Sequence, residues 1–134
     1  MKTPTEITDL MLEKDYFSQW LAVERLEEGI GYCTLKMTVR KEMCNGFGIA
    51  HGGITYSLAD SALAFASNSH GRHAVSIETS ISHIRPLKDG DEIIAIATEL
   101  SATNKIAIYN VRVECKGALV ALFKGTVFRK ETEW

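Results

Sequence analysis

Two features of the sequence could do chemistry. One is a glycine-rich stretch, Asn45-Gly46-Phe47-Gly48-Ile49-Ala50-His51-Gly52-Gly53, and the other is a carboxylate, Asp60, shortly beyond it. The glycines invite comparison with a phosphate-binding loop. That template fails, because His51 stands where GxGxxG needs its third glycine and no Gly-Lys-Ser/Thr ending follows. What remains is the start of a helix. Glycines there allow close backbone approach, and the unpaired amides of a helix N-terminus attract negative charge. Such a terminus is suited to holding an oxyanion.

Asp60 lies two turns into the same segment, among Leu58, Ala59, Ala62 and Leu63. A carboxylate on so apolar a helix must face a polar cavity or find a partner, since burying it unpaired is costly. It is either a structural group bonded to a neighbouring strand or a general base or nucleophile in a cleft. In the second case partial desolvation makes it more basic than a free Asp.

The elements that must position these residues follow from the pattern. Ile7, Leu10, Met11, Lys14 and Phe17 recur at three- and four-residue spacing, which predicts an amphipathic helix over Glu6–Gln19, capped by Thr5 or Thr3. Leu21–Val39 reads as a hairpin broken at Glu28-Gly29, with alternation in its second arm. Arg40–Ala50 is irregular. Gly52–Ser69 is apolar on nearly every face and rich in Ala and Ser, so it predicts a buried helix closely approached by a sheet, ending at His70-Gly71. Ala74–Ile84, Glu92–Leu100, Ile106–Cys115 and Ala118–Arg129 read as strands, the first stopped by Arg85-Pro86. Strands in two runs around one helix, without regular βαβ alternation, predict an α+β domain with a mainly antiparallel sheet. No linker divides residues 1–134, so one domain is expected, with 1–19 as an N-terminal helical region.

Composition narrows the function. Of the 134 residues 46% are hydrophobic, and 15 basic against 17 acidic side chains leave a net charge of -2. This excludes disorder and gives no basic excess for a nucleic acid. The longest purely apolar run, Ala118–Phe123, is far short of the roughly 20 residues a bilayer requires. Met1–Asp9 lacks a secretory pattern, so no membrane partner and a cytoplasmic location are expected. Cys33, Cys44 and Cys115 are odd in number and contain no CxxC pair, which speaks against a disulfide framework or zinc site. His70, His73 and His83 lack metal-ligand spacing, and no Gly-x-Ser-x-Gly turn supports a serine nucleophile. No metal and no cofactor are expected.

Asn45…His51-Gly52-Gly53…Asp60, Arg85-Pro86 closing a strand, and Val120-Ala121-Leu122-Phe123-Lys124-Gly125 together resemble the hotdog-fold acyl-CoA thioesterases of the phenylacetate-degradation (PaaI-like) type. The resemblance spans residues 10–130 and implies an antiparallel sheet wrapped around one long central helix. It further implies hydrolysis of acyl-CoA, with coenzyme A as part of the substrate. Asp60 matches the acid that activates water or attacks the thioester. Gly52, with Gly53 beside it, matches the amide that polarises the carbonyl, and Asn45 matches a residue holding the carbonyl or the water. Ser76 sits where some members orient the water, and His51 shapes the loop or acts as an acid or base. Phe47 and Leu63 could line an acyl pocket, and Arg85, Lys88 and Lys105 could meet coenzyme A phosphates.

Gly52 and Asp60 are about 12 Å apart along one helix. A carbonyl carbon held at the Gly52 amide must lie about 3 Å from its attacking atom. A second copy's Asp60, on a helix antiparallel across a two-fold axis, is therefore required. The resemblance likewise implies a homodimer, assembled into a homotetramer.

Overall fold

The computed structural model describes residues 1–134. Two short helices, α1 (Pro4–Leu12) and α2 (Tyr16–Leu21), precede the hairpin β1 (Glu24–Gly29) and β2 (Tyr32–Thr38). A single 3-10 turn at Lys41–Met43 leads to α3 (Gly52–Asn68). Four strands follow: β3 (Arg72–His83), β4 (Glu92–Ala102), β5 (Ile106–Cys115) and β6 (Ala118–Glu133). All pairings are antiparallel, and the sheet order is β1-β2-β4-β5-β6-β3. The expected α+β class and the sheet around one long central helix are what the structure shows.

Small residues let α3 press on the sheet. Ala59, Ala62 and Ala66 are fully buried, as are Ala95 and Ala97 on β4, and α3 packs against β2, β4 and β5. Larger side chains fill what the alanines leave, with Leu58, Leu63 and Phe65 at most 2% exposed. Each contributes roughly 1.5–3 kcal/mol of burial. Leu63 needs a gap in β6: a Cβ on Gly125 would stand 2.5 Å from Leu63 Cδ2. Burial pushes the Cys33 thiol up to about 12, so it sits in this core as a small apolar group.

Three expectations about boundaries are corrected. The helix over Glu6–Gln19 is two helices. Thr3 caps α1, accepting from the Glu6 amide at 3.2 Å while Glu6 accepts from the Thr3 amide at 2.9 Å. Asp15 then caps α2, accepting from the Ser18 amide at 3.0 Å and its hydroxyl at 2.6 Å. The apolar spacing runs through the break because both helices lean on the same core, while the Asp15 carboxylate competes locally for backbone donors. Leu21 ends α2 and is not a strand residue; Ala22, with φ 57°, closes that helix. The hairpin turns at Ile30-Gly31, two residues later than expected, because Gly31 supplies the positive φ of 72°.

β3 ends the sheet. It pairs with β6 on one side and has no neighbour on the other. Val75 is 44% exposed and Ile77 59% exposed along this twelve-residue strand. No helix is long and apolar enough to cross a membrane.

Candidate active site

The first half of the site is the start of α3. The loop before it is held by its own backbone: the Asn45 amide donates to Ile49 O at 2.8 Å and the Gly48 amide to Asn45 O at 3.0 Å. Asn45 Oδ1 accepts from the Phe47 amide at 2.9 Å, which commits that oxygen to the loop and leaves the Nδ2 amino group to donate elsewhere. Phe47 stands at the loop tip, 91% exposed. The His51 amide donates to Met43 O at 2.8 Å and the Ala50 amide to Leu87 O at 2.7 Å. That last bond ties the loop to the β3–β4 connection, which carries exposed Arg85 and Lys88.

His51 is the N-cap of α3. Its Nδ1 accepts from the Gly53 amide at 3.1 Å, so its remaining ring proton is assigned to Nε2. Gly53 is thereby occupied. The Gly52 amide, first in the helix, has no intrahelical acceptor and sits at the positive end of the helix dipole. Above it lies His83, from the end of β3: a Cβ on Gly52 would stand 3.0 Å from His83 Nε2.

The second half is a cleft of about 270 Å³ lined by Asp60, Leu63, Ala64, Ser67, Ala74, Val75, Ser76 and Val127. Asp60 is half-buried in it. Desolvation, with a smaller contribution from the Asp15 carboxylate, holds its pKa above the ordinary carboxylate range. Asp15 is fixed nearby by Ser18, whose hydroxyl also meets Ser61 Oγ at 2.7 Å, joining α2 to α3. Ser76 shares the cleft from β3. Leu63 lines it too, although its side chain is only 1% exposed and chiefly fills the core.

The structure brings Asp60, Ser76 and Leu63 together, and separately groups Asn45, Phe47, His51, Gly52, Gly53, Arg85 and Lys88. Within one chain the two groups lie at different levels of α3. Lys105 belongs to neither. Its carbonyl accepts from the Arg129 amide at the β4–β5 turn, next to Asn104, which pairs with Arg72 at the start of β3. Arg85 follows the other end of that strand, about 35 Å away at the usual rise. Two residues escaped the sequence reading. Asp15 carried a signal, since Asp is among the residues favoured just before a helix. His83 carried none, because its neighbour Gly52 is remote in the chain. His, Cys, Asp and Glu side chains form no group of three that could hold a metal ion.

Comparison with known proteins places the fold. Residues 47–121 match the pattern of the thioesterase superfamily. The chain is 34% identical to acyl-coenzyme A thioesterase PaaI of Escherichia coli over 89% of its own length and 86% of that protein's. It superposes on the structure of the E. coli PaaI protein from the phenylacetic acid degradation operon with a TM-score of 0.94, at 30% identity, over 97% of this chain and 95% of that one. A mutant of the phenylacetic acid degradation protein PaaI from Thermus thermophilus superposes with a TM-score of 0.84, at 40% identity, over 87% of this chain and 100% of the other. Matching in sequence, sheet order and central helix, the chain belongs to the thioesterase superfamily as a PaaI-like hotdog protein, a thioester hydrolase.

Proposed function

We propose that the chain hydrolyses acyl-CoA thioesters, with aromatic or medium-chain acyl groups, in sites shared between two copies. One observation carries this reading: an unpaired Gly52 amide at the head of α3 and a half-buried, basic Asp60 farther along the same helix, both near an unpartnered β3 edge. The name of the E. coli relative supports the coenzyme A ester as substrate.

In this mechanism the thioester carbonyl oxygen accepts from the Gly52 amide, with Asn45 Nδ2 as a second donor to the carbonyl or the water. The second copy's Asp60, helped by its Ser76, takes a proton from water as the water attacks the carbonyl carbon. Raised basicity serves Asp60 as a base toward water and equally as a nucleophile toward the thioester. The C–S bond then breaks, giving the free acid and coenzyme A. Water is the only co-reactant, and neither metal nor cofactor enters. His51 serves the step by capping α3, which leaves Gly52 as the donor. The apolar wall of the cleft, with Leu63 and Val127, receives the acyl group, and Phe47 covers the entrance. Arg85 and Lys88 stand beside the Gly52 end to meet the coenzyme A phosphates. Lys105 joins them only from the second copy, whose antiparallel β3 would reverse the strand ends.

The same pairing makes a homodimer the active unit, with a homotetramer built from two such dimers. The three unpaired cysteines suit a reducing, cytoplasmic setting. The test is free thiol released from a panel of acyl-CoA esters. Turnover is expected with aromatic or medium-chain esters. Tight binding without thiol release would make the protein a non-catalytic acyl-CoA binder, and hydration of an enoyl-CoA would make it a hydratase.

A further inference from the structure

The chain has four histidines, and three are committed. His51 Nδ1 caps α3, His70 Nε2 meets Glu99 Oε1 at 2.6 Å, and the His73 ring stacks on Trp134 with centroids 4.1 Å apart. The fourth, His83, is exposed, makes no side-chain hydrogen bond in the chain, and rests its imidazole against Gly52. This ring occupies the space a side chain at position 52 would take: Nε2, Cε1 and Cδ2 lie 3.0, 3.3 and 3.7 Å from a Cβ built there. An imidazole so placed lies beside whatever the Gly52 amide holds.

The geometry points to His83 as the proton donor to the departing thiol sulfur, an assignment that rests on the thioester-hydrolase reading of Gly52. A thioester carbonyl bound at that amide has two substituents to place. The acyl chain belongs in the apolar cleft beside Asp60. The sulfur carries a large polar group that must reach solvent, so it points away from the cleft and toward the exposed side of the α3 terminus. His83, its ring resting against Gly52, stands at that terminus. When the tetrahedral intermediate collapses, the oxyanion re-forms the C=O bond and the C–S bonding pair passes to sulfur. Sulfur takes the proton from His83 Nε2, leaving as a thiol. The carboxylic acid keeps the hydroxyl that came from water. The proton that Asp60 removed returns to solvent, from which His83 is reprotonated, so the sum is thioester plus water to acid plus thiol.

A proton donor matters most when the leaving thiol is basic, and that separates this role from a packing role. Two esters of one acyl group serve: the coenzyme A ester, with an alkyl thiol, and the ester of 5-thio-2-nitrobenzoate, whose aryl thiolate leaves unaided. His83→Phe keeps a ring over Gly52, and His83→Gln keeps polarity without the proton. Both are expected to lower kcat on the coenzyme A ester by about 100-fold, the lower end of general acid catalysis. KM should hold within about twofold, and kcat on the aryl ester should be unchanged. Equal losses on both esters, a rise in KM alone, or no loss in either variant overturns the assignment. Should wild type release thiol from neither ester, the hydrolase reading itself falls. A fully active wild type indifferent to His83 removes only the proton donor.

Discussion

Asp60 combines two properties that usually conflict. It is an ionisable group on an apolar helix, and it is raised in pKa first by desolvation and then by the Asp15 carboxylate. A carboxyl whose acid form is favoured in the folded state opposes folding when ionised. That penalty is present above its folded pKa and is relieved as pH falls through it. Asp60→Asn removes both the base and the penalty. The expected outcome is a kcat at least about 100-fold lower. Tm at neutral pH should rise by about 1–3 °C, a small change because water screens the half-exposed carboxylate. The Tm gap should close as pH falls toward the ordinary carboxylate range, as melting curves across pH would show. A folded Asp60→Asn protein with near wild-type turnover would remove Asp60 from the mechanism. Single turnover in heavy-oxygen water then tests the nucleophile role: label in the Asp60 carboxylate requires a covalent acyl–Asp60 anhydride, whereas label in the released acid alone is given both by a base and by an anhydride opened at its acyl carbon. At this scale the sequence was informative wherever a residue contradicted its neighbours. Asp60 stood out among Leu58, Ala59 and Ala62, and His51 stood out within a glycine run. Asp15 and His83 contradict nothing locally. Their significance arises only when α2 and β3 are folded against α3.

At the scale of the element, α3 carries the Gly52 amide at its N-terminus and the half-buried Asp60 two turns farther along. The Gly52 amide can be tested with a pair of substitutions, because the structure shows that one alone would mislead. Proline at the first helical position removes the N–H at little cost to the helix, and His51, at φ -59° and ψ 136°, already has the conformation a following proline demands. Yet any Cβ at position 52 pushes on the His83 ring. Gly52→Ala keeps the amide N–H and moves the ring, whereas Gly52→Pro removes the N–H and moves the ring as well. The drop in kcat from Ala to Pro therefore isolates the amide, with an expected scale of about 100-fold. Equal kcat in the two variants would mean that the amide does not meet the oxyanion. The helix itself was legible from its composition, since a segment apolar on all faces must be buried. The α1–α2 break was not, because the hydrophobic period continues through Asp15 while a side-chain cap, invisible to periodicity, starts a second helix there.

At the scale of the whole molecule, one chain sets Gly52 and Asp60 at different levels of α3 and leaves an open sheet edge at β3. Long edge strands with exposed apolar residues invite pairing, and β3 presents Val75 and Ile77 there. Pairing β3 with its symmetry copy is isologous and closes on itself. It would set two α3 helices antiparallel, each bringing its Asp60 toward the other's Gly52. This arrangement was legible in part from arithmetic alone, because eight residues of helix span about 12 Å, whereas the strand that supplies the contact could be identified only from the sheet order. Complementation tests it. An equal mixture of Asp60→Asn and Gly52→Pro chains, each nearly inactive, is unfolded and refolded together. About half the dimers are then mixed, and one of the two sites in each mixed dimer carries an intact Asp60 and an intact Gly52. Activity should return to about a quarter of wild type, by site counting on a two-fold dimer. If native mass spectrometry shows mixed dimers while the mixture stays inactive, each site lies within one chain. α3 would then have to bend to bring Asp60 to Gly52, which a regular helix from Gly52 to Asn68 does not allow.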